Sequence, residues 1–497
     1  MTFSRPALAG ATLAGATLTG ATLTGATLTG VALLGVLAAG LTTLPSMAAD
    51  TVAAAGPQVR WTDCKPEGKD KPEDVKGSQC ATLRLPVDWR DPAGPSFDLA
   101  IARRTAKVPS ERVGVLVFGP GGPGDSGVDR IKTGISRFST DLQDRFDIVS
   151  FDPRGVARSN PVRCSADLLA KQPSPIIKSA AEFSATISYN RQLATDCRAN
   201  TGPLYDHIDT WQTVRDLDAI RRVLGEAKIT FHGSSYGTVL GGQYAETYPH
   251  RVRAMVLESV SDHSTSSTRA FLDDQAAAAQ DSFDEFVKWC DATTTCALHG
   301  RDVHAVWADQ LAKSADPFKL SFAAFKLLYG PQWSKLADTL AGSTATTTAA
   351  PTGIASYPLA VFCQDWNLPV RDYREYAAHL QRIARNNQDV KYPGQLMAAS
   401  ICLGAPKANN PQHVLKVRDL KTPVLLANAI HDPATGYDWA RSVARQLGRS
   451  GVLLTYEGWG HGSYSKGACM QSTVDRYLVA LDVPKRGTSC PAVAPVG

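Results

Sequence analysis

Residues Gly233 to Gly237 read Gly-Ser-Ser-Tyr-Gly and lie between a short apolar run and a stretch with helical character. A Gly-x-Ser-x-Gly motif between a strand and a helix is typical of a serine nucleophile on a tight turn, where small residues must flank the serine two positions away. Because Ser235 is the centre of the pattern, we predict that it is the nucleophile of an acyl-transfer reaction. Such a serine also needs a base, an acid and hydrogen-bond donors for an oxyanion.

A glycine-rich loop precedes this serine in the chain. The apolar run from Val113 to Phe118 is followed by Gly-Pro-Gly-Gly-Pro-Gly, and glycines let a backbone approach a substrate without Cβ clashes. We therefore expect an oxyanion hole formed by the loop at Gly121 and Gly122 and by the amide of Tyr236, the residue after the nucleophile. The alternative is an ordinary tight turn.

Two polar residues follow the last two buried strands that the sequence predicts. Asp432 follows the apolar run at 423–428, and His461 lies between glycines after the final apolar run. The order serine, aspartate, histidine is that of the α/β-hydrolases. We predict that His461 is the general base and that Asp432 is the acid that orients it. Glu258 and Asp262, after the strand that follows the nucleophile helix, remain alternatives for the acid.

Alternating apolar runs and helical patterns surround these residues. Continuous apolar runs are typical of parallel strands buried on both faces, and alternation with helices predicts a sheet covered by helices. Turn-rich β-like runs over Trp61–Arg104 predict an antiparallel edge. The fold class is therefore α/β, an α/β-hydrolase with a mostly parallel central sheet. Residues 49–263 and 417–497 form its core, and residues 264–416 are inserted as a helical cap where such folds bind ligands.

The N-terminus has the composition of an export signal. Arg5 is followed by an apolar, uncharged stretch that ends in a small-x-small cleavage site, so residues 1–48 are predicted to be a signal peptide. Within this segment a pentapeptide, Ala-Thr-Leu-Thr/Ala-Gly, recurs four times across Ala11–Gly30. A β-solenoid and a retained membrane anchor are the alternatives. We expect a secreted protein, with cell-wall association left open.

Cysteine count and charge narrow the possible partners. Ten cysteines, an even number, suit disulfides in an exported chain, and we expect up to five between sequence neighbours, although sequence does not fix the connectivity. Zinc-type spacings and nucleotide-binding motifs are missing from the sequence, so no metal or cofactor is expected. The 52 basic and 47 acidic residues give a net charge of only +5, without a dense basic run. Nucleic acid and stable membrane association are therefore not expected.

Five short motifs occur together along the chain. They are Pro120-Gly121-Gly122-Pro123-Gly124, Asp152-x-Arg154-Gly155, Gly233-x-Ser235-Tyr236-Gly237-Thr238, Asp432-Pro433-x-Thr435 and Gly460-His461-Gly462. In this combination, from about Trp61 to Cys490, the chain resembles the secreted actinobacterial tripeptidyl aminopeptidases, serine exopeptidases related to proline iminopeptidases. It departs from them at Gly119, where the family often has Asn, and at Glu258, where the family usually has Asp.

The resemblance implies an enzyme that releases short peptides, tripeptides in particular, or amino acids from free N-termini through an acyl-enzyme. It implies the same serine, aspartate and histidine as catalytic residues, and a role for Thr435 in positioning substrate. A free N-terminus requires a group that binds the α-ammonium, such as a carboxylate in a partly closed pocket. Glu258 and Asp365 are the candidates, with a structural ion pair as the alternative for each. A secreted carboxylesterase or lipase with the same triad and a non-catalytic binding protein are the competing functions.

Overall fold

A ten-stranded sheet forms the centre of the protein in the computed structural model, which describes residues 59–342 and 353–495. The predicted signal peptide at 1–48 and its repeats lie outside the described residues. Ten strands belong to the main sheet, and β6 and β9 form a separate pair. The strands are β1 (Thr62–Asp63), β2 (Gln79–Pro86), β3 (Ser96–Arg104), β4 (Gly114–Gly119), β5 (Phe146–Phe151), β6 (Arg163–Ser165), β7 (Ile229–Ser234), β8 (Val252–Glu258), β9 (Ile354–Ser356), β10 (Val424–His431), β11 (Gly451–Trp459) and β12 (Ser489–Cys490).

The sheet has one antiparallel edge, as the sequence predicted. β2 pairs antiparallel with β1 and β3, and β3 pairs antiparallel with β5. All further pairs are parallel, in the order β1-β2-β3-β5-β4-β7-β8-β10-β11-β12. The central strand β4 is buried at all of its six positions, which explains its unbroken apolar sequence. The α/β-hydrolase fold class is confirmed.

Helices cover both faces of this sheet and fill the segment between β8 and β10. They are α1 (Pro72–Val75), α2 (Gly127–Lys132), α3 (Thr140–Arg145), α4 (Ala166–Leu169), α5 (Ala180–Thr201), α6 (Thr210–Val223), α7 (Gly237–Thr247), α8 (Thr268–Ala292), α9 (Val303–Lys313), α10 (Pro317–Tyr329), α11 (Trp333–Leu340), α12 (Phe362–Asp365), α13 (Tyr373–Asn386), α14 (Leu396–Ile401), α15 (Tyr437–Leu447) and α16 (Ala468–Ala480). Among these described helices, none is both long and apolar enough to cross a membrane.

The helices α8 to α14 have an apolar cluster of their own. Large buried side chains such as Phe283 and Trp307 form its centre, separate from the two clusters on the faces of the sheet. An earlier segment also joins it, since Phe183 of α5 packs in this cluster and β6 pairs with β9. No pattern in the sequence predicted that association. The cap boundaries at 264 and 416 stay a prediction.

All ten cysteines are paired, and each disulfide joins neighbours in the order of the cysteines along the chain. The predicted nearest-neighbour connectivity is therefore confirmed. The pairs are Cys64–Cys80, Cys164–Cys197, Cys290–Cys296, Cys363–Cys402 and Cys469–Cys490.

Candidate active site

Ser235 lies on the turn between β7 and α7, with a left-handed backbone conformation (φ +56°). The two flanking glycines are sterically required. A Cβ on Gly233 would lie 2.4 Å from the carbonyl oxygen of Gly237, and one on Gly237 would lie 2.3 Å from that of Gly119. The peptide N–H of Ser235 donates to the carbonyl of Glu258 at 2.9 Å. The residues of the motif thus form a strained turn between a strand and a helix, as their types predicted.

His461 and Asp432 lie on the loops after β11 and β10 and are hydrogen-bonded to each other. The Nδ1 atom of His461 is 3.0 and 3.1 Å from the two carboxylate oxygens of Asp432. Asp432 is buried and also accepts hydrogen bonds from the amides of Ala434 and Thr435, both at 2.9 Å. The N–H of His461 donates to the carbonyl of Tyr329 at 2.7 Å, so a helix of the inserted segment fixes the histidine loop.

The environment of His461 favours its protonated form. Burial lowers the pKa of the imidazole, but the charge of the Asp432 carboxylate and its hydrogen bond raise it by more, so the pKa lies above its ordinary value. An imidazole that is stabilised when it gains a proton is suited to accept one from a hydroxyl.

Ser235 and His461 line the same cavity, which has a volume of about 580 Å³. Gly121, Gly122 and Tyr236 line it as well. The remaining wall is rich in aromatic side chains from the inserted helices and from α15. Among them are Phe271, Phe322, Phe362, Trp366 and Trp439.

The glycine loop approaches Ser235 closely. A Cβ on Gly121 would lie 3.0 Å from the Cβ of Ser235, and Gly122 has a φ of +106°. Within the described residues, no backbone carbonyl accepts from the amides of Gly122 or Tyr236. The loop and the residue after Ser235 therefore present backbone amides at the same cavity.

The alternative acids have other partners. Asp262 accepts hydrogen bonds from the amide of Ser264 at 2.9 Å and from the side chain of Gln446 at 2.9 Å. Glu258 is buried and lies 3.0 Å from His232, and it accepts from the amide of Tyr464 at 2.7 Å. Of the three carboxylates, the structure brings Asp432 into hydrogen-bonding contact with His461.

The two carboxylates predicted to bind an α-ammonium do not line the cavity. Glu258 is also paired with Arg137. Asp365 is fully buried and accepts hydrogen bonds from Thr210, Asn410 and the hydroxyl of Tyr236, the last at 2.5 Å. Both carboxylates are thus occupied by donors of the protein. Among the described residues that line the cavity, Asp125 supplies the carboxylate.

Thr435 does line the cavity, as the family resemblance implied. Its hydroxyl donates to Asp432 at 3.0 Å and lies 3.4 Å from the Nδ1 atom of His461. The side chain is therefore hydrogen-bonded to Asp432 at the cavity wall, and its role in positioning substrate stays a prediction.

Sequence reasoning missed the charged residues of the cavity wall. Arg130 lies on α2, Arg137 on a single turn before α3, and Lys326 on α10. None belongs to a motif, and the fold brings Lys326 of the inserted segment to the same cavity wall as Arg130 and Arg137, which lie far earlier in the chain. Their positive charge is the one signal that the sequence offers, and it is opposite to the negative charge that binds an α-ammonium.

The fold and the serine site define an α/β-hydrolase, and comparison with known proteins specifies the family. A family model described as "TAP-like protein" matches residues 391–490. Serine protease Hip1 of Mycobacterium tuberculosis is 30% identical over 88% of this chain and 91% of its own. Tripeptidyl aminopeptidase of Streptomyces coelicolor is 29% identical over 90% and 88%, and carboxylesterase B of M. tuberculosis is 31% identical over 91% and 94%.

The chain belongs to this family of tripeptidyl aminopeptidase-like α/β-hydrolases and is a serine hydrolase. A second model, for pentapeptide repeats, matches residues 3–36 in eight copies. The matched segment extends beyond the four copies at Ala11–Gly30 in both directions, and it lies within the segment predicted as an export signal.

Proposed function

We propose that the protein is a secreted serine exopeptidase that releases short peptides from free N-termini through an acyl-enzyme on Ser235. The observation that supports this most is that Ser235, His461 and the glycine loop line one cavity together with the inserted helices, while Asp432 is hydrogen-bonded to His461. Its volume, about 580 Å³, is within the range of small-ligand pockets and suits a short peptide rather than a folded chain.

The chemistry follows from these positions. The Oγ atom of Ser235 attacks the scissile carbonyl while the Nε2 atom of His461 accepts its proton, and Asp432 stabilises the resulting imidazolium. The amides of Gly122 and Tyr236, with Gly121 permitting the close approach, bind the negative oxygen. His461 then donates the proton to the leaving amine, and a water molecule, activated by the same histidine, hydrolyses the ester.

Recognition of a free N-terminus requires a carboxylate that can pair with the α-ammonium of the substrate. Glu258 and Asp365 are occupied by protein donors, so we assign the α-ammonium to Asp125 on the cavity wall. Asp125 is half-exposed and lies next to the glycine loop, where its side chain pairs with Arg130 at 3.3 Å. An exposed pair of this kind is weak, so the carboxylate can exchange its partner for a substrate amine.

Export of the protein is supported by the five disulfides, which form and persist in oxidising compartments. The predicted signal peptide at 1–48 agrees with this. Sequencing of the N-terminus of the protein collected from culture medium tests the proposal, with a start near residue 49 as the expected result. Retention of the protein in the cell with its first residues intact would contradict it.

A carboxylesterase is the second candidate, because the aromatic wall of the cavity also suits an apolar acyl group. A panel of fluorogenic aminoacyl, dipeptidyl and tripeptidyl amides, each free and N-acetylated, together with matched acyl esters, separates the two. An exopeptidase hydrolyses the free tripeptidyl amide best and loses at least about tenfold in kcat/KM on acetylation. Equal rates on free and blocked amides remove the exopeptidase, and hydrolysis of the esters alone establishes the esterase. Ser235→Ala is the control for each substrate.

A further inference from the structure

The cavity wall carries more positive than negative charge. Three cationic side chains line it, namely Arg130, Arg137 and Lys326, against one carboxylate, Asp125, among the described residues. Arg130 and Asp125 are paired with each other. Neither Arg137 nor Lys326 is paired with a carboxylate of the described wall, because Glu258, the partner of Arg137, does not line the cavity. A ligand in the cavity therefore meets the guanidinium side of the Arg137–Glu258 pair and the ammonium of Lys326.

The guanidinium of Arg137 is held at this wall by contacts with Glu258 and Phe118. One Nη atom pairs with the carboxylate of Glu258, which is buried beneath the wall. The guanidinium carbon lies 5.1 Å from the centroid of the Phe118 ring. The side chain is 25% exposed, and its Nε atom is buried without an acceptor in the described part of the chain. The buried Nε atom is not accessible to a ligand, but a fixed guanidinium that is partly exposed at the cavity is suited to bind a carboxylate.

Glu258 remains ionised in this position and therefore keeps the arginine in place. Burial raises the pKa of its carboxyl, but the charge of Arg137 and the hydrogen bond from His232 lower it by more, well below its ordinary value.

Lys326 contributes the second charge from the inserted helices. It lies on the exposed side of α10, and its Nζ atom is 4.7 Å from the centroid of Phe322, another residue of the wall. A lysine on a flexible stem can reach a charged group that enters the cavity.

We propose that Arg137 and Lys326 form a carboxylate-binding subsite, so that the enzyme prefers substrates with a negative charge close to the scissile bond. The inference rests on the proposed peptidase function and specifies its substrate class. The carboxylate comes from one of two sources. It is either the free C-terminus of a short peptide or an acidic side chain of the released segment.

Four matched peptides separate these sources. Ala-Ala-Phe-Ala with a free carboxylate is compared with its C-terminal amide, and Ala-Glu-Phe-Ala amide is compared with Ala-Gln-Phe-Ala amide, with the cleaved bond located by mass spectrometry. We expect the charged member of at least one pair to have about tenfold higher kcat/KM, the effect of one charge-assisted hydrogen bond. That advantage should shrink as salt is raised from about 0.05 to 0.5 M. Charged and neutral members hydrolysed equally in both pairs would overturn the proposal.

Substitutions of Lys326 and Arg137 test whether these residues cause the preference for charged peptides. Lys326→Gln should reduce the charged-to-neutral ratio of kcat/KM about threefold or more, whereas Lys319→Gln, the same change at an exposed position of the same helix, should leave the ratio unchanged. Arg137→Gln alone leaves a buried carboxylate unpaired and can prevent folding. The double variant Arg137→Gln/Glu258→Gln removes both charges and should abolish the preference. An equal loss in the two lysine variants contradicts the assignment.

A binding measurement keeps this subsite distinguishable from the proposed function. Fluorophosphonate labelling of Ser235 is slowed by a ligand in the cavity, even if no peptide is hydrolysed. N-acetyl-phenylalanine should protect at concentrations about tenfold lower than N-acetyl-phenylalanine amide. If all four peptides remain intact but this difference is found, the peptidase proposal fails and the subsite stands. If the peptides are hydrolysed but the acid and the amide protect equally, the subsite proposal fails and the peptidase proposal stands.

Discussion

At the residue scale, the chemistry depends on which carboxylate orients His461. Asp432 contacts both the histidine and Thr435, whereas Asp262 is occupied by Ser264 and Gln446. Both aspartates are buried and accept several hydrogen bonds. They therefore form a matched pair for mutagenesis, since the same substitution removes a buried charge at either place.

Asp432→Asn should lower kcat by about 10³–10⁴, because the amide no longer stabilises the imidazolium or its tautomer. Asp262→Asn should change kcat less than about threefold. Turnover of a fluorogenic substrate, with the fraction of folded enzyme determined by circular dichroism, measures both. Near-normal turnover in Asp432→Asn would falsify the assignment of the acid.

The raised pKa of His461 predicts the pH profile. The histidine acts as a base only when neutral, so activity is lost as the pH falls through its pKa. Because Asp432 raises that pKa above the ordinary value of about 6.5, the acidic limb of log kcat/KM should have its midpoint above that pH, with a slope of one. The residual activity of Asp432→Asn should show a midpoint at lower pH. An unchanged midpoint in that variant would show that another group determines the limb.

At the scale of elements, a buried carboxylate connects the inserted helices to the turn at Ser235. Asp365 ends α12 and accepts the hydroxyl of Tyr236, whose amide faces the cavity. It also accepts from both the backbone and the side chain of Thr210 at the start of α6. We therefore propose that Asp365 positions Tyr236, the proposed oxyanion donor, rather than binding the α-ammonium of a substrate.

Tyr236→Phe tests this role, because it removes the hydroxyl but keeps the ring and the backbone amide. We expect kcat to fall about threefold to tenfold with little change in KM, since a loosened oxyanion donor affects the transition state more than the ground state. The ratio of rates on free and N-acetylated peptides should not change. A ratio that approaches one in this variant would instead indicate that the Asp365 network reads the N-terminus.

The sequence predicted the parts of the site that local chain geometry determines. Ser235, Asp432 and His461 follow buried strands, and parallel strands bring their carboxyl ends to one edge of a sheet. The runs at 229–231 and 423–428 predicted β7 and β10 without their last three residues. Glu258 and Arg137 are 121 positions apart. Hydrophobic periodicity within either segment does not predict that they form an ion pair.

Pairing between distant segments also explains why the sequence favoured two carboxylates as binding groups for the α-ammonium, although neither of them lines the cavity. Glu258 and Asp365 were singled out as carboxylates near the motifs, but the donors that occupy them come from other segments. Thr210 and Asn410, for example, lie 155 and 45 positions from Asp365. Only the folded chain shows that a carboxylate is already neutralised by its partners.

At the scale of the whole molecule, the disulfides join short segments rather than the two parts of the core. The longest sequence separation between paired cysteines is 39, for Cys363–Cys402, and the shortest is 6, for Cys290–Cys296. Cys363 lies on α12, close to Asp365, and Cys402 directly follows α14, which lines the cavity. This disulfide therefore fixes two elements of the cavity wall to each other.

Removal of the two disulfides should have unequal effects. The loss of loop-closure entropy predicts that replacing Cys363 and Cys402 by alanine lowers the free energy of unfolding by about 4 kcal/mol, against about 2 kcal/mol for Cys290 and Cys296. Because the longer loop also holds part of the cavity wall, the first variant should raise KM while the second leaves it nearly unchanged. Urea unfolding and steady-state kinetics of the two double variants measure both effects. Equal losses of stability, or a raised KM in both, would mean that the inserted helices pack as one rigid unit that does not depend on this disulfide.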